Sequence, residues 1–424
     1  MEMKKYKLGE IATVEISGVD KKAKENEKPI KLCNFTDVYH NWAITRDMEI
    51  SFMDATATDK EIDTFVLKKG QVAFTKDSET RDDIGIPTYI ADDFDNVILG
   101  YHTALITPDK TKLSGKYLNA FMNSNFIKKY FENNASGSGQ RYTLSNVTLN
   151  SIPIILPEIS IQEKIGEFFS NIDRKIALNK KINAKLEAMA KRLYDYWFVQ
   201  FDYPDKNGKP YKTSGGKMVW NEVLKRKIPE GWEVGKIGDL FESQAGFAFN
   251  SSKWTETGHP VLTIKNIHSD GTISFDNTSF IESYDDKLEK YTVNNGNMIF
   301  AMSGNTIGKV GIISSSIENV LINQRVLIIK SSTSDIAFSY FIVSNPNVQN
   351  LVFQLGANSA QPNISEDEFR KIKICIPNKQ FISKFNFQLK SFFDEVISNR
   401  IQIQKLTNLR DHLLPLLMNG QVEG

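Results

Sequence analysis

A stretch from Ser160 to Phe198, starting just after Pro157, reads as one long helix (ISIQEKIGEFFSNIDRKIALNKKINAKLEAMAKRLYDYWF from Ile159). No proline interrupts it, and its only glycine, Gly166, lies near the start. Ser160 with Glu163 three residues on has the form of a capping box. Apolar side chains recur at Ile165, Phe168, Ile172, Ile182, Leu186, Met189, Leu193 and Tyr196. Spacings of three and four predict a coiled-coil seam. Some forty helical residues make a rod of about 60 Å, longer than a globular core needs.

The rod occurs twice. Pro157 aligns with Pro377, Asn179 with Asn399 and Leu186 with Leu406, always at an offset of 220 (377 − 157, 399 − 179, 406 − 186). In the second copy the predicted stripe is Phe385, Leu389, Phe392, Val396, Ile403, Leu406 and Leu413. Asn179 and Asn399 hold matching seam positions, where a buried Asn can set register. The repeat also covers the rest of the chain. YKLGEIATV matches WEVGKIGDL, FVLKKGQVAF matches YTVNNGNMIF with Phe74 on Phe300, and VILGYHTALI matches VLINQRVLII with Val97 on Val320.

The reading is therefore an α+β chain, a tandem duplication of a strand-rich domain followed by a long helix. The two helices are expected to pair as an antiparallel coiled coil. The expected boundaries are 1–156 and 201–376 for the strand-rich domains, the latter including a connection, and 157–200 and 377–424 for the helices. Strands are predicted at Phe65 to Leu67, Val72 to Thr75, Val97 to Leu99, Ala104 to Thr107 and Ile152 to Leu156. The second copy should have them at Met298 to Met302, Val326 to Lys330 and Ile372 to Ile376. One helix is predicted in each domain, Gly115 to Asn133 and Ala337 to Phe353.

Composition sets limits. Of 424 residues, 41% are hydrophobic, which suffices for real cores, but the net charge of +1 announces no nucleic acid globally. A DNA partner would need local basic patches. No apolar run reaches the roughly 18 residues of a membrane span, and MEMKKYKLGE has no apolar stretch of the signal-peptide kind. The two cysteines, Cys33 and Cys375, lie far apart in strand-like contexts. They predict a reducing compartment, with neither disulfide nor zinc.

Catalytic motifs fail on inspection. GNTIGKV (Gly304 to Val310) is one residue short of a P-loop and has Val310 where Ser or Thr would hold Mg²⁺. GSGQRY lacks the third glycine of a dinucleotide fingerprint. SNPNV is not the Asn-Pro-Pro-aromatic motif of amino-methyltransferases. The five histidines show no ligand spacing.

What remains are loop side chains suited to base edges and phosphates. In the first domain these are Lys76, Ser78, Thr80 and Arg81, then Tyr101 and His102, then Gln140, Arg141 and Tyr142. In the second they are Ser303, Asn305, Thr306 and Lys309, then Asn323, Gln324 and Arg325, then Asn358, Gln361 and Asn363. Arg suits guanine, Asn and Gln suit adenine, and Lys, Ser and Thr suit phosphate. Taken singly, such residues are ordinary solvated loop positions. Their weight comes from falling in corresponding loops of both repeats with different identities, as two readers of different sequences would.

Three phrases carry a resemblance: IPEGWEVGKIGDL (Ile228 to Leu240), GKPYKTSGGKMVW (Gly208 to Trp220) and LTNLRDHLLPLLMNGQV (Leu406 to Val422). With the duplicated plan, they make the chain resemble the specificity subunit of type I restriction–modification systems over its full length. PNKQFISKF departs from the pattern by lacking the Glu-Gln pair common at such rod starts. The resemblance implies two target-recognition domains reading a bipartite site in double-stranded DNA. It also implies a scaffold for two methyltransferase subunits, which two ATP-dependent translocase–nuclease subunits can join. S-adenosylmethionine, ATP and Mg would belong to those partners, with no cofactor in this chain, a cytoplasmic location and no membrane. The alternatives are a stand-alone DNA-modifying enzyme, which methyl transfer by the pure chain would reveal, and a DNA-binding protein without an enzyme partner, which co-purification with a methyltransferase would exclude.

Overall fold

A computed structural model describes residues 3–283, 285–331, 335–357 and 362–418. The chain forms two compact units, 1–176 with 406–424, and 177–405.

In the first unit a five-stranded sheet has the order Ala12–Ile16, Thr103–Pro108, Val72–Thr75, Pro87–Ile90, Ala43–Ile44. Val72–Thr75 is buried at every position, as expected of an apolar run in a central strand. Beside it Lys28–Cys33 pairs antiparallel with Met53–Ala57 and parallel with Val97–Leu99. Val38, Ile44, Phe52, Phe94 and Leu105 pack with these strands into one core. Lys4–Lys7 pairs antiparallel with Pro153–Leu156, bringing the domain's first and last strands together.

The second unit repeats this plan. Ser243–Ala245, Val326–Ile329, Met298–Ala301 and Val310–Ile312 form one sheet. Ser279–Ile281, His259–Leu262, Val320–Ile322 and Thr292–Val293 form another. Glu233–Lys236 closes on Lys373–Ile376. The added hairpin Met218–Asn221/Arg226–Pro229 lies in the connection.

Several local expectations need correction. Phe65 ends the helix Asp59–Phe65 rather than opening a strand; Thr58 and Glu61 cap that helix reciprocally. Each expected domain helix is two helices: Gly115–Met122 and Asn125–Asn134, and Ile336–Val343 and Pro346–Gly356. The breaks come from caps inside the apolar pattern. The Ser124 Oγ accepts from the Ile127 N–H, and the Asn345 Oδ1 accepts from the Asn347 N–H ahead of Pro346.

The first long helix runs Ile159–Tyr194 and widens into a π turn at Asp195–Val199, where the Gln200 N–H reaches the Asp195 carbonyl. Ser160 is not its cap, because the Ile161 and Gln162 N–H groups already bond the Glu158 carbonyl. Gln162 is buried instead, accepting from the Ser114 N–H and donating to the Lys112 and Pro157 carbonyls. Gly166 is explained by close approach: a Cβ there would stand 2.7 Å from the Tyr117 nitrogen.

The buried stripe also differs from the expected one. Phe169, Ala190 and Trp197 are buried, whereas their neighbours Phe168, Met189 and Tyr196 are exposed. Asn179 and Asn183 occupy the middle of the stripe at 1% and 6% exposure. In the second helix, Lys379–Met418, Phe385, Leu389 and Val396 are buried as expected. Phe393 and Leu414 take the buried places expected of Phe392 and Leu413, while Ile403 and Leu406 are half-buried.

Within 177–405 the helices run antiparallel. The Asn179 Nδ2 donates to the Gln402 Oε1 at 2.6 Å, the Asn399 Nδ2 donates to the Asn183 Oδ1 at 3.0 Å, and the Trp197 ring lies 5.5 Å from Phe385. Both matching asparagines are buried, yet each bonds a residue of the partner helix other than its counterpart. Arg400 of the second helix bonds the Glu187 carboxylate of the first at 2.8 Å and also the Gly271 carbonyl of a domain loop at 3.1 Å.

Candidate nucleic-acid interface

The same hydrogen-bonded frame stands at the end of the central strand in each unit. After Val72–Thr75, the Lys76 N–H donates to the His102 carbonyl, and the Lys76 carbonyl accepts from the Leu144 N–H. After Met298–Ala301, the Met302 N–H donates to the Arg325 carbonyl, and the Met302 carbonyl accepts from the Ile364 N–H. Lys76 therefore corresponds to Met302, Asp77 to Ser303, His102 to Arg325 and Thr143 to Asn363. Among the described residues, the loops singled out from sequence converge on these two frames.

In the first unit the frame carries a hairpin, Ser136–Ser138 with Arg141–Thr143, whose second strand pairs with Asp77–Ser78. Its turn holds Gln140 in solvent. Gly137 adopts φ 138°, and a Cβ there would strike the Arg141 carbonyl at 2.1 Å, so glycine is what lets the hairpin close. Arg81 lies over the Tyr142 ring at 4.9 Å, and Tyr101 packs on the His102 ring at 4.0 Å. The Ser78 hydroxyl accepts from the Thr80 N–H at 3.3 Å, which fixes that turn and leaves the hydroxyl proton free to donate.

Asp77, which the sequence reading passed over, is the centre of this cluster. It is 5% exposed. Its Oδ1 lies 2.9 Å from the Lys76 Nζ, and its Oδ2 lies 2.6 Å from the His102 Nδ1. Lys76 also donates to the Thr143 hydroxyl at 3.0 Å. The Arg141 Nη2 lies 3.2 Å from the His102 Nε2. Burial pushes the Asp77 carboxyl up, but hydrogen bonds from Thr143, Lys76 and His102 outweigh it and hold the group below the usual carboxylate range. An acid among residues expected to contact phosphate looks unfavourable in sequence. The available signal was its match to Ser303, a short polar side chain after the same strand.

In the second unit Ser303 is 5% exposed, and its hydroxyl has no hydrogen-bond partner among the described residues. Its backbone bridges Asn363. Asn305 and Thr306 lie in the short helix Gly304–Thr306, and the Lys309 N–H returns to the Thr306 carbonyl. Asn323 accepts from the Arg325 N–H at 3.3 Å, while the side chains of Gln324 and Arg325 stand in solvent. Asn358 and Gln361 lie outside the described residues.

The motif-like segments do not have the geometry of the motifs they resemble. Gly304 to Val310 passes from that short helix into the strand Val310–Ile312, rather than from a strand into a helix. GSGQRY forms the hairpin, and SNPNV begins the helix Pro346–Gly356. Among the described residues no three His, Cys, Asp or Glu side chains gather as a metal site, and no helix is long and apolar enough to cross a membrane.

The family model described as type I restriction modification DNA specificity domain matches residues 1–188 and again 229–407. The chain is 25% identical over 413 residues to the type I restriction enzyme HindI specificity subunit of Haemophilus influenzae, covering 84% of this chain and 87% of that one. It is 24% identical over 316 residues to the MjaIX specificity subunit of Methanocaldococcus jannaschii, covering 74% and 70%. The crystal structure of the type I restriction–modification S subunit from M. genitalium shares the fold, with a TM-score of 0.60 at 14% identity over 98% of this chain and 96% of that one. With both halves matched, the chain belongs to the type I restriction–modification DNA specificity family.

Proposed function

We propose that this chain is the DNA specificity subunit of a type I restriction–modification complex and that each loop frame reads one half of a bipartite target. The observation that carries this reading is one backbone frame, built twice with different side chains. Lys76, Asp77, His102 and Thr143 occupy the first, with Arg141 beside them on the hairpin; Met302, Ser303, Arg325 and Asn363 occupy the second. A conserved support with divergent polar tips suits recognition of two different short sequences. Arg141, Arg81, Gln140 and Tyr101 are the base- and backbone-contacting candidates of the first frame. Arg325, Gln324, Asn323, Asn305, Thr306, Lys309 and Asn363 are those of the second, with Asn358 and Gln361 assigned from sequence alone.

The subunit is non-catalytic. Methyl transfer from S-adenosylmethionine, and ATP- and Mg²⁺-dependent translocation and cleavage, belong on this reading to two methyltransferase and two translocase–nuclease subunits assembled on it in the cytoplasm. The recognition domains are assigned to 1–156 and 201–376 and the helical spacers to 157–200 and 377–424. The test is reconstitution with the cognate methyltransferase and mapping of methylated sites. Arg141→Ala should relax one half of the target and Arg325→Ala the other. Relaxation of both halves by either variant would refute one reader per frame.

A further inference from the structure

We infer that Asp77 is the positioning residue of the first reading frame: it holds His102 in one tautomer and thereby aims Arg141 at a guanine. This rests on the assignment of that frame as a DNA reader. A guanidinium can only donate hydrogen bonds. The 3.2 Å approach of the Arg141 Nη2 to the His102 Nε2 is therefore a hydrogen bond only when Nε2 carries no proton. The single imidazole proton then sits on Nδ1, where the Asp77 Oδ2 accepts it at 2.6 Å. Asp77 is itself held by Lys76 at 2.9 Å.

His102 also pays for a left-handed backbone, φ 67°, a conformation that the surrounding bonds must enforce. The chain Lys76–Asp77–His102–Arg141 thus runs from an ammonium through a buried carboxylate to an exposed guanidinium. It engages one N–H of Arg141 and leaves the others to the guanine O6 and N7. The second unit has Ser303 where Asp77 stands and Arg325 where His102 stands, so it lacks this relay and reads by other contacts.

The experiment has two arms on the full chain. The first records nitrogen-15 imidazole spectra of free protein labelled at histidine, with His102 assigned by His102→Gln. The expected result is an Nδ1–H tautomer that Asp77→Ala converts toward Nε2–H, and that Asp77→Asn, which keeps an acceptor oxygen, retains in part. An Nε2–H tautomer in the parent protein, or one unmoved in Asp77→Ala, overturns the inference whatever the frame binds. The second arm measures methylation specificity of the reconstituted complex. Asp77→Ala should cut discrimination for guanine in one half-site by between about fivefold and a hundredfold, with the other half unchanged and partial recovery in Asp77→Asn. If Arg141→Ala relaxes that half but Asp77→Ala does not, the positioning role falls and the reading frame stands. If neither variant relaxes either half, the reading frame falls, and the inference with it.

Discussion

Asn399 donates its side-chain amide to the Oδ1 of Asn183 across the two long helices, both residues at 6% exposure. The Asn183 amide in turn reaches the Val396 carbonyl at 3.4 Å. An apolar seam interrupted by a satisfied polar layer specifies register, because any slip strands a buried amide.

Asn399→Ala leaves Asn183 without its donor and should destabilise the protein by about 1–3 kcal/mol. Replacing Asn183 and Asn399 together by Leu should restore stability or raise it, while admitting alternative helix registers. Denaturant unfolding measures the first effect. Cysteine cross-linking at chosen seam pairs measures the second.

Gln140→Ala with Arg141→Ala should weaken recognition of one half-site by about 1–3 kcal/mol per lost bidentate contact and leave the other half unaltered. Methylation of oligonucleotides varied in one half at a time reads this directly. Equal loss in both halves would make these residues supports of the fold.

Gly137→Ala should act on the same half-site with Arg141 still present. The added Cβ meets the Arg141 carbonyl at 2.1 Å and forces the hairpin apart. The expected outcome is loss of discrimination in that half with unfolding midpoints changed by less than those of a core substitution.

The Asp77 carboxyl is lowered in the fold against an unfolded value of about 3.9, so its stabilising contribution is present above that pH and fades as pH falls through the folded value. Asp77→Asn should therefore be less stable than the parent at pH 7 by about 1–3 kcal/mol. The gap should close progressively below roughly pH 4. Chemical denaturation across pH checks the sign, and a gap that widens on acidification would contradict it.

On the proposal that helix length sets the unread spacing between half-sites, four residues inserted after both Asn179 and Asn399 add about 6 Å and about 40° of rotation. Two base pairs add about 6.8 Å. The preferred spacer should lengthen by one or two base pairs. Seven inserted residues keep the seam but add about 10.5 Å with little rotation, and should weaken binding at every spacer. A spacer series with the reconstituted methyltransferase decides it.

The duplication, the long helices and the polar loops that follow the central strands were legible in the sequence. A repeated unit repeats its apolar strands and its loop polarity at a steady offset, and Phe74 and Phe300 do open corresponding frames. What the chain alone left open was decided by packing. Burial of Phe169, Ala190 and Trp197 rather than their neighbours Phe168, Met189 and Tyr196 depends on how closely the facing surface approaches, which periodicity does not encode. The domain helices break at Ser124 and Asn345 because a side-chain oxygen found an N–H to cap. Asp77 gained its role because strand register brings His102, 25 residues away, and through it Arg141, 39 residues further, onto one carboxylate. A hydrogen-bond chain across three loops exists only when the sheet beneath fixes their spacing to within a fraction of an ångström, and only the folded sheet can supply that.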